Sequence, residues 1–304
     1  MLRIAIANSP TQIEEVLQLR HQVLLASANA AATERPKRLM DRFDTFPTTT
    51  HVTAILERQV IASLRLTFDS AEKTPADEYY DFRANLPEDS KLLSCDLHCV
   101  HPDFHLPQVT AGLLSVASYL AMAEGITHIA APAAKKIIPI LEDMGFQSLL
   151  PDGKRSRRTL PMMLNLQQDL QDPFIQFTEQ NELQGIMHSY GCALYEPGEA
   201  ILRAGTLGNC AFVIADGEVD VKHAGSDEVV DTMGVGEVFG EMTLLTDQVR
   251  SADIIAKTRV RTMVLEKSVF VEHLMAEPKV ALKLLQSMGH RMNHLIDYCH
   301  TLTS

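Results

Sequence analysis

From Ala193 to Glu266 glycine recurs at positions 198, 205, 208, 217, 225, 234, 236 and 240, between short apolar and β-branched runs. That punctuation interrupts each run before a helix of ordinary length can form. It suits short antiparallel strands joined by tight turns, as in a barrel or jelly roll. Helical character is expected again at Lys267–His273 and over Lys279–Asp297.

The first half has a different rhythm. Residues 11–27 place Ile13, Val16, Leu17, Leu19, Val23 and Leu24 largely on one stripe, with Ser9 or Thr11 as N-cap, which predicts a helix. His51–Leu56 and Val60–Thr67 read as strands, and Glu57-Arg-Gln59 between them is short enough for a hairpin. A strand over Lys91–Val100 is followed by an apolar helix at Val109–Ala123, a short strand at Thr127–Ala131 and a helix at Ala133–Met144 stopped by Gly145. Arg158–Leu166 closes the series as a further strand. The expected fold class is α+β: a mixed-sheet α/β domain over residues 1–166, a linker and entry helix over 167–182, and a β-barrel domain with flanking helices over 183–304. The Ala-rich stretch Ala26–Ala32 is expected to be a mobile loop.

At 304 residues, 46% hydrophobic and 22% charged, the chain has the composition of a two-domain globular protein. No run approaches the roughly 18 apolar residues of a membrane span. The first residues lack a signal-peptide pattern. Five cysteines without regular spacing argue against a disulfide framework, and a cytoplasmic location is expected. A net charge of −12 excludes general attraction to DNA phosphates. The local run Lys154-Arg-Ser-Arg-Arg158 is either a solvated loop or a site for a carrier-protein or coenzyme phosphate. A homodimer is left open.

Two constellations carry chemistry. In Phe239-Gly-Glu-Met-Thr-Leu-Leu-Thr-Asp-Gln-Val-Arg-Ser-Ala252, a glycine precedes a segment able to start a helix, whose free N–H groups attract an anion. Arg250 can grip phosphate oxygens with two parallel hydrogen bonds, and Ser251 can donate one more. Glu241 would repel that phosphate, so a sugar hydroxyl is its natural partner; a surface Glu–Arg pair is the plainer alternative. The blocks Tyr195–Gly205, Ala211–Val221 and Val235–Met242 resemble the cyclic nucleotide-binding family, and the Arg-Ser-Ala order resembles its catabolite-activator branch. The resemblance implies cyclic AMP as ligand, with Glu241 on the ribose 2′-hydroxyl, Gly240 and Met242 offering backbone contacts, and Arg250 with Ser251 on the cyclic phosphate. Thr243 stands where many members carry alanine. The C-terminal helix would cover the base. No helix-turn-helix follows, so a DNA reader is not expected.

On Ser94-Cys-Asp-Leu-His-Cys-Val100, strict alternation sets Asp96 and His98 on one face and Cys95, Leu97 and Cys99 on the other. His98 is either a general base or a hydrogen-bonded strand histidine. The alternation scatters the nearby Cys and His side chains, so no metal site is expected. Val60–Leu66, Cys99–Phe104 and Ile140–Phe146 resemble the GNAT acyltransferase superfamily. Leu19–Val23 with Asp41-Arg-Phe-Asp44 resembles its acyl-homoserine-lactone and N-acyl amino acid synthase branch. That resemblance implies acyl transfer from a thioester, acyl-CoA or acyl carrier protein, to an amine, with Asp96, His98, Arg65 and Asp44 as catalytic candidates. Asp41, Asp44 and Arg65 would hold a polar acceptor, or else pair with one another at the surface. Gln108 and Thr110 replace the glycines of the superfamily's coenzyme loop, which leaves a carrier-protein donor or an inactive domain open. The expectation is a cyclic-AMP-regulated N-acyltransferase. The alternatives are a signalling protein with an inactive acyltransferase domain, and a constitutive synthase.

Overall fold

The computed structural model describes residues 2–25, 37–70, 73–104, 107–150, 159–170, 191–276 and most of 278–293. The Ala26–Ala32 segment, the basic run Lys154–Arg158 and most of the 167–182 linker lie outside the described residues. Two compact units divide the chain, Leu2–Asp172 and Pro173–Ser304. No helix of the described residues is long and apolar enough to cross a membrane.

In the N-terminal unit the strands are β1 (Leu2–Ile6), β2 (Thr49–Leu56), β3 (Gln59–Phe68), β4 (Leu92–Val100), β5 (His128–Ala134), β6 (Gln147–Ser148) and β7 (Thr159–Asn165). They lie in the order β1-β2-β3-β4-β5-β7-β6, antiparallel except for the β4–β5 pair. The hairpin between β2 and β3 turns on Glu57 and Arg58, both with positive φ, the geometry that matches the twist of the flanking strands. Helix α1 (Pro10–Leu25) covers one face: Val16 and Leu19 pack with Val60 and Cys99. The Glu15 carboxylate accepts from the Val60 N–H at the hairpin base.

Helix α3 (Pro107–Ala123) packs on the opposite face, where Ile4, Ala54 and Ala62 line up across β1, β2 and β3. A Cβ at Gly112 would fall 2.2 Å from the Ile4 side chain, so glycine lets α3 approach β1 closely. The short helices α2 (Pro75–Tyr79) and α4 (Ile138–Asp143) complete this unit. The helix expected over Ala133–Met144 is shorter than its apolar pattern suggests. Its first residues extend β5, and Pro139 fits only within the first turn of a helix that starts at Ile138.

The C-terminal unit holds strands β8 (Gly191–Tyr195), β9 (Ala200–Leu202), β10 (Cys210–Asp216), β11 (Val219–His223), β12 (Val229–Met233), β13 (Val238–Phe239), β14 (Ala252–Ala256) and β15 (Val260–Glu266). They form two antiparallel sheets, ordered β13-β10-β15-β8 and β12-β11-β14-β9. No hydrogen-bonded ladder joins these two sheets among the described residues, so the expected barrel is not closed. The sheets are held instead by a shared apolar core. Tyr195, Phe212, Ile214 and Val264 of one sheet meet Val219, Met233 and Ile254 of the other. Helices α5 (Glu241–Thr246) and α6 (Lys267–Ala276) follow β13 and β15, and the described residues from 281 to 293 are helical.

Candidate functional sites

In the C-terminal unit, Gly240 sits at φ +78° and hands the chain from β13 into α5. Its left-handed conformation makes glycine the residue of least strain there. The turn buries Glu241, Thr243 and Arg250 and leaves Met242 and Ser251 exposed. Arg250 donates through Nη1 to the Gly240 carbonyl and through Nη2 to the Cys210 carbonyl at 2.7 Å. A guanidinium has five N–H donors, so others remain for an anion. The arginine slot is bounded by two glycines: a Cβ would come 2.1 Å from Arg250 Nη2 at Gly208 and 2.7 Å from Nη1 at Gly240. Gly208→Ala should therefore displace the guanidinium without touching any ligand group. Cyclic-nucleotide affinity measured by calorimetry should fall about tenfold or more, since even one added methylene forces shifts in packed surroundings. An unchanged affinity would show that the arginine can retreat at no cost.

Glu241 is 2% exposed. Its Oε1 accepts from Arg291 Nη2 at 2.8 Å, while its Oε2 is buried with no hydrogen-bond partner. A buried carboxylate oxygen without a donor is costly and rare. A hydroxyl donor placed against Oε2 would satisfy it. Arg291, in the helical stretch from 281 to 293, is a residue that sequence reasoning missed. It was expected only that a helix over Lys279–Asp297 would cover the ligand, and no local pattern marks a partner fifty residues away.

In the N-terminal unit, the candidates Arg65, Asp96 and Asp44 come together with Asp41 on the α1 side of the sheet. Arg65 donates to Asp96 through Nε and Nη2 (2.9 and 2.7 Å) and to Asp41 through Nη1 at 2.6 Å. Asp44 lies 3.2 Å from the same Nη1. Burial alone would make Arg65 easier to deprotonate, but the hydrogen bonds it donates to Asp96 and Asp41 outweigh it and hold the charge more firmly than usual. Burial raises the Asp96 carboxyl above its ordinary range despite Arg65. At Asp44 burial acts the same way, but Arg20 wins and the carboxyl sits below that range. The Phe43 ring lies beneath the Arg65 guanidinium, 5.6 Å from centroid to carbon. The cluster is thus satisfied from within and largely buried, not a surface pairing.

Two members of this cluster were not anticipated. Arg20, fully buried on α1, donates to Asp44 at 2.7 Å and to His51 Nδ1 at 2.9 Å. The available signal was one arginine beside the apolar stripe of that helix. Since arginine can only donate, His51 Nδ1 accepts and its proton sits on Nε2, which keeps the ring neutral. Burial, then Arg20, lowers the His51 pKa to about 4. The folded value lies below the unfolded one, so this contribution is complete above pH 6.5 and is lost as pH falls towards 4. Between pH 7 and pH 5 the N-terminal unit should lose on the order of 2 kcal/mol from this ring. Hydrogen exchange of the β2 amides reads that loss, and protection independent of pH would contradict it.

His98 departs from its expected place. Leu97 adopts φ +46°, and the register between β3 and β4 shifts between Ser63 and Arg65. This bulge breaks the alternation, so Asp96 and His98 do not share a face. Asp96 turns to Arg65, whereas the His98 ring meets the Thr110 hydroxyl of α3 at 3.1 Å. Burial, then the charge of Lys136, brings the His98 pKa to about 4, leaving a neutral imidazole near pH 7. Cys95 and Cys99 are buried thiols, and burial pushes Cys99 up to about 12, so neither offers a thiolate. Beside His98 the sheet opens. β4 pairs with β5 only over Leu92–Ser94 and His128–Ala130, although both strands run on.

With this geometry in place, similarity to known proteins becomes informative. Residues 15–165 match the family model described as N-acyl amino acid synthase FeeM, and residues 193–277 match that of the cyclic nucleotide-binding domain. The chain joins a FeeM-type domain to a cyclic nucleotide-binding domain. In its C-terminal part it is 32% identical over 138 residues to a cAMP-dependent protein kinase regulatory subunit of Yarrowia lipolytica, covering 43% of this chain and 34% of that protein. It is 34% identical over 96 residues to human cGMP-dependent protein kinase 2, covering 30% of this chain and 13% of that one. The chain thus spans about a third or less of the length of these curated relatives. Among solved structures, FeeM from uncultured soil microbes aligns at 15% identity and TM-score 0.45, covering 55% of this chain and 92% of that one. The Thermus thermophilus catabolite activator protein aligns at 25% identity and TM-score 0.36, covering 41% and 59%. In the terms of these families, the Glu241–Arg250 lip belongs to the nucleotide-binding domain and the β4–β5 opening to the FeeM-type domain.

Proposed function

We propose that the protein is a cytoplasmic N-acyltransferase controlled by cyclic AMP, moving an acyl group from a thioester to an amine. For the regulatory half the reading rests on Glu241, whose two oxygens divide between Arg291 and an absent donor. The ribose 2′-hydroxyl supplies that donor, the Gly240–Thr243 turn lines the phosphate, and Arg250 with Ser251 grips it. Cyclic AMP is favoured over cyclic GMP by the Arg-Ser-Ala order at 250–252.

For the catalytic half the reading rests on the opening between β4 and β5, which leaves strand backbone free to receive the amide-bearing arm of a thioester donor. The bulge at Leu97 leaves backbone N–H groups unladdered next to the reacting carbonyl, where they stabilise the oxyanion as the amine attacks. The carbon–nitrogen bond forms, the carbon–sulfur bond breaks, and the thiol leaves. Neutral His98 accepts the proton that the amine sheds and passes it to the departing thiolate, which leaves as the thiol. Arg65, Asp96 and Asp44 act as positioning residues that hold the strand carrying His98. Gln108 and Thr110, in place of loop glycines, favour an acyl carrier protein over coenzyme A as donor.

Nucleotide binding at Glu241 competes for, or reinforces, the Arg291 contact and so biases the position of the helical 281–293 stretch; control requires that one position bind nucleotide better. The test is turnover of acyl-thioesters with pooled amines, with and without cyclic AMP. Turnover that changes with nucleotide supports the proposal. Tight binding without turnover would mean an inactive acyltransferase domain, and turnover indifferent to nucleotide a constitutive synthase.

A further inference from the structure

Thr110 is 4% exposed and lies in the first turn of α3, which starts at Pro107. Two features bring its hydroxyl against His98. Gly112, two residues further on, lets α3 close on β1 to a depth that a Cβ would prevent. The bulge at Leu97 turns His98 towards α3 and away from the side on which Asp96 meets Arg65. Thr110 Oγ1 and His98 Nε2 then stand 3.1 Å apart, while the ring as a whole is only half-buried. The His98 ring makes no other hydrogen bond among the described residues.

The direction of this hydrogen bond decides what the ring can do. A neutral imidazole has one N–H and one lone pair. If the hydroxyl donated, the lone pair of Nε2 would be spent on it and the ring hydrogen would sit on Nδ1. Neither nitrogen could then take a proton from a substrate. If the hydroxyl accepts, the hydrogen sits on Nε2 and Nδ1 keeps a free lone pair. A threonine inside a helix can pass its own hydrogen to a carbonyl one turn back, which leaves Oγ1 to accept.

We infer that Thr110 is a positioning residue: its hydroxyl accepts from His98 Nε2–H and so makes Nδ1 the atom that takes the proton of the attacking amine. The inference rests on the acyl-transfer reading. As the carbon–nitrogen bond forms, the amine proton moves to Nδ1, and the ring becomes an imidazolium still held by Thr110 through Nε2. Nδ1 then returns that proton to the departing thiolate, so the ring ends the cycle neutral and Thr110 keeps its own hydrogen throughout. The nearby charge of Lys136 disfavours the imidazolium and so speeds the return.

Long-range proton–nitrogen NMR correlation on the full chain, with the His98 signals assigned by comparison with His98→Gln, reads the tautomer directly. Near pH 7 the parent protein should carry its ring hydrogen on Nε2. Thr110→Val keeps the branched shape but loses the hydroxyl, and should shift the hydrogen towards Nδ1. In turnover of acyl-thioesters with pooled amines, the same variant should lose about tenfold or more in kcat with KM changed by no more than about twofold. Thr110→Ser should regain most of that loss. A threonine that only packs would change the melting temperature and leave both tautomer and kcat in place. Hydrogen on Nδ1 in the parent protein overturns the inference, whether or not any variant folds. Parent turnover that Thr110→Val leaves unchanged overturns it as well, with the acyl-transfer reading intact. A parent protein without turnover on any thioester removes that reading, and the inference with it.

Discussion

Arg250→Ala should weaken cyclic-nucleotide binding by at least about 2 kcal/mol, roughly thirtyfold. The guanidinium is 4% exposed, so whatever phosphate it meets is shielded from water, and charge-assisted hydrogen bonds there are stronger than at the surface. Arg250→Lys keeps the charge but not the planar fork, and should recover only part of the loss. The alanine variant also strips the Gly240 and Cys210 carbonyls of their donor, so the C-terminal unit should melt somewhat earlier. Calorimetric titration below that melting point separates the two effects. An affinity equal to that of the parent protein would remove Arg250 from the phosphate site.

The largest stability effect is expected at Arg65. Arg65→Leu leaves Asp96 without its cation and Asp44 with Arg20 alone, and breaking a buried ion cluster in this way costs about 3 to 5 kcal/mol. Much of that cost is the stranded charge and not the lost attraction. The double variant with Asp96→Asn should therefore recover a measurable share, and denaturant unfolding of both proteins gives the coupling directly. A loss below about 1 kcal/mol would mean that water reaches the carboxylates once the arginine is gone.

Which parts of this were legible in the sequence follows from the range of each signal. The glycine spacing after Ala193 marked the strands and turns of the C-terminal unit, because glycine acts through its own backbone. The same local logic placed the Gly240 turn and located Glu241 and Arg250 on its lip. The β2–β3 hairpin was found from its length, although Glu57 and Arg58 are unusual residues for positive φ. Strand β1 was overlooked, since five residues at the chain start carry too short a pattern to count as an element. The Leu97 bulge was invisible for a different reason: leucine has no preference for a left-handed conformation, so only the register between β3 and β4 creates it. Arg20 with His51 and Arg291 with Glu241 are 31 and 50 residues apart, and contacts at such separations exist only once the sheet and helices are assembled.

The kink at Leu97 divides labour along a single strand. Its two flanking side chains serve opposite sides of the sheet, one braced in a lattice of charges and the other bordering the gap between strands. A library randomised at position 98 can therefore explore new reactivity with the scaffold intact, whereas one at position 96 would return mostly unfolded chains.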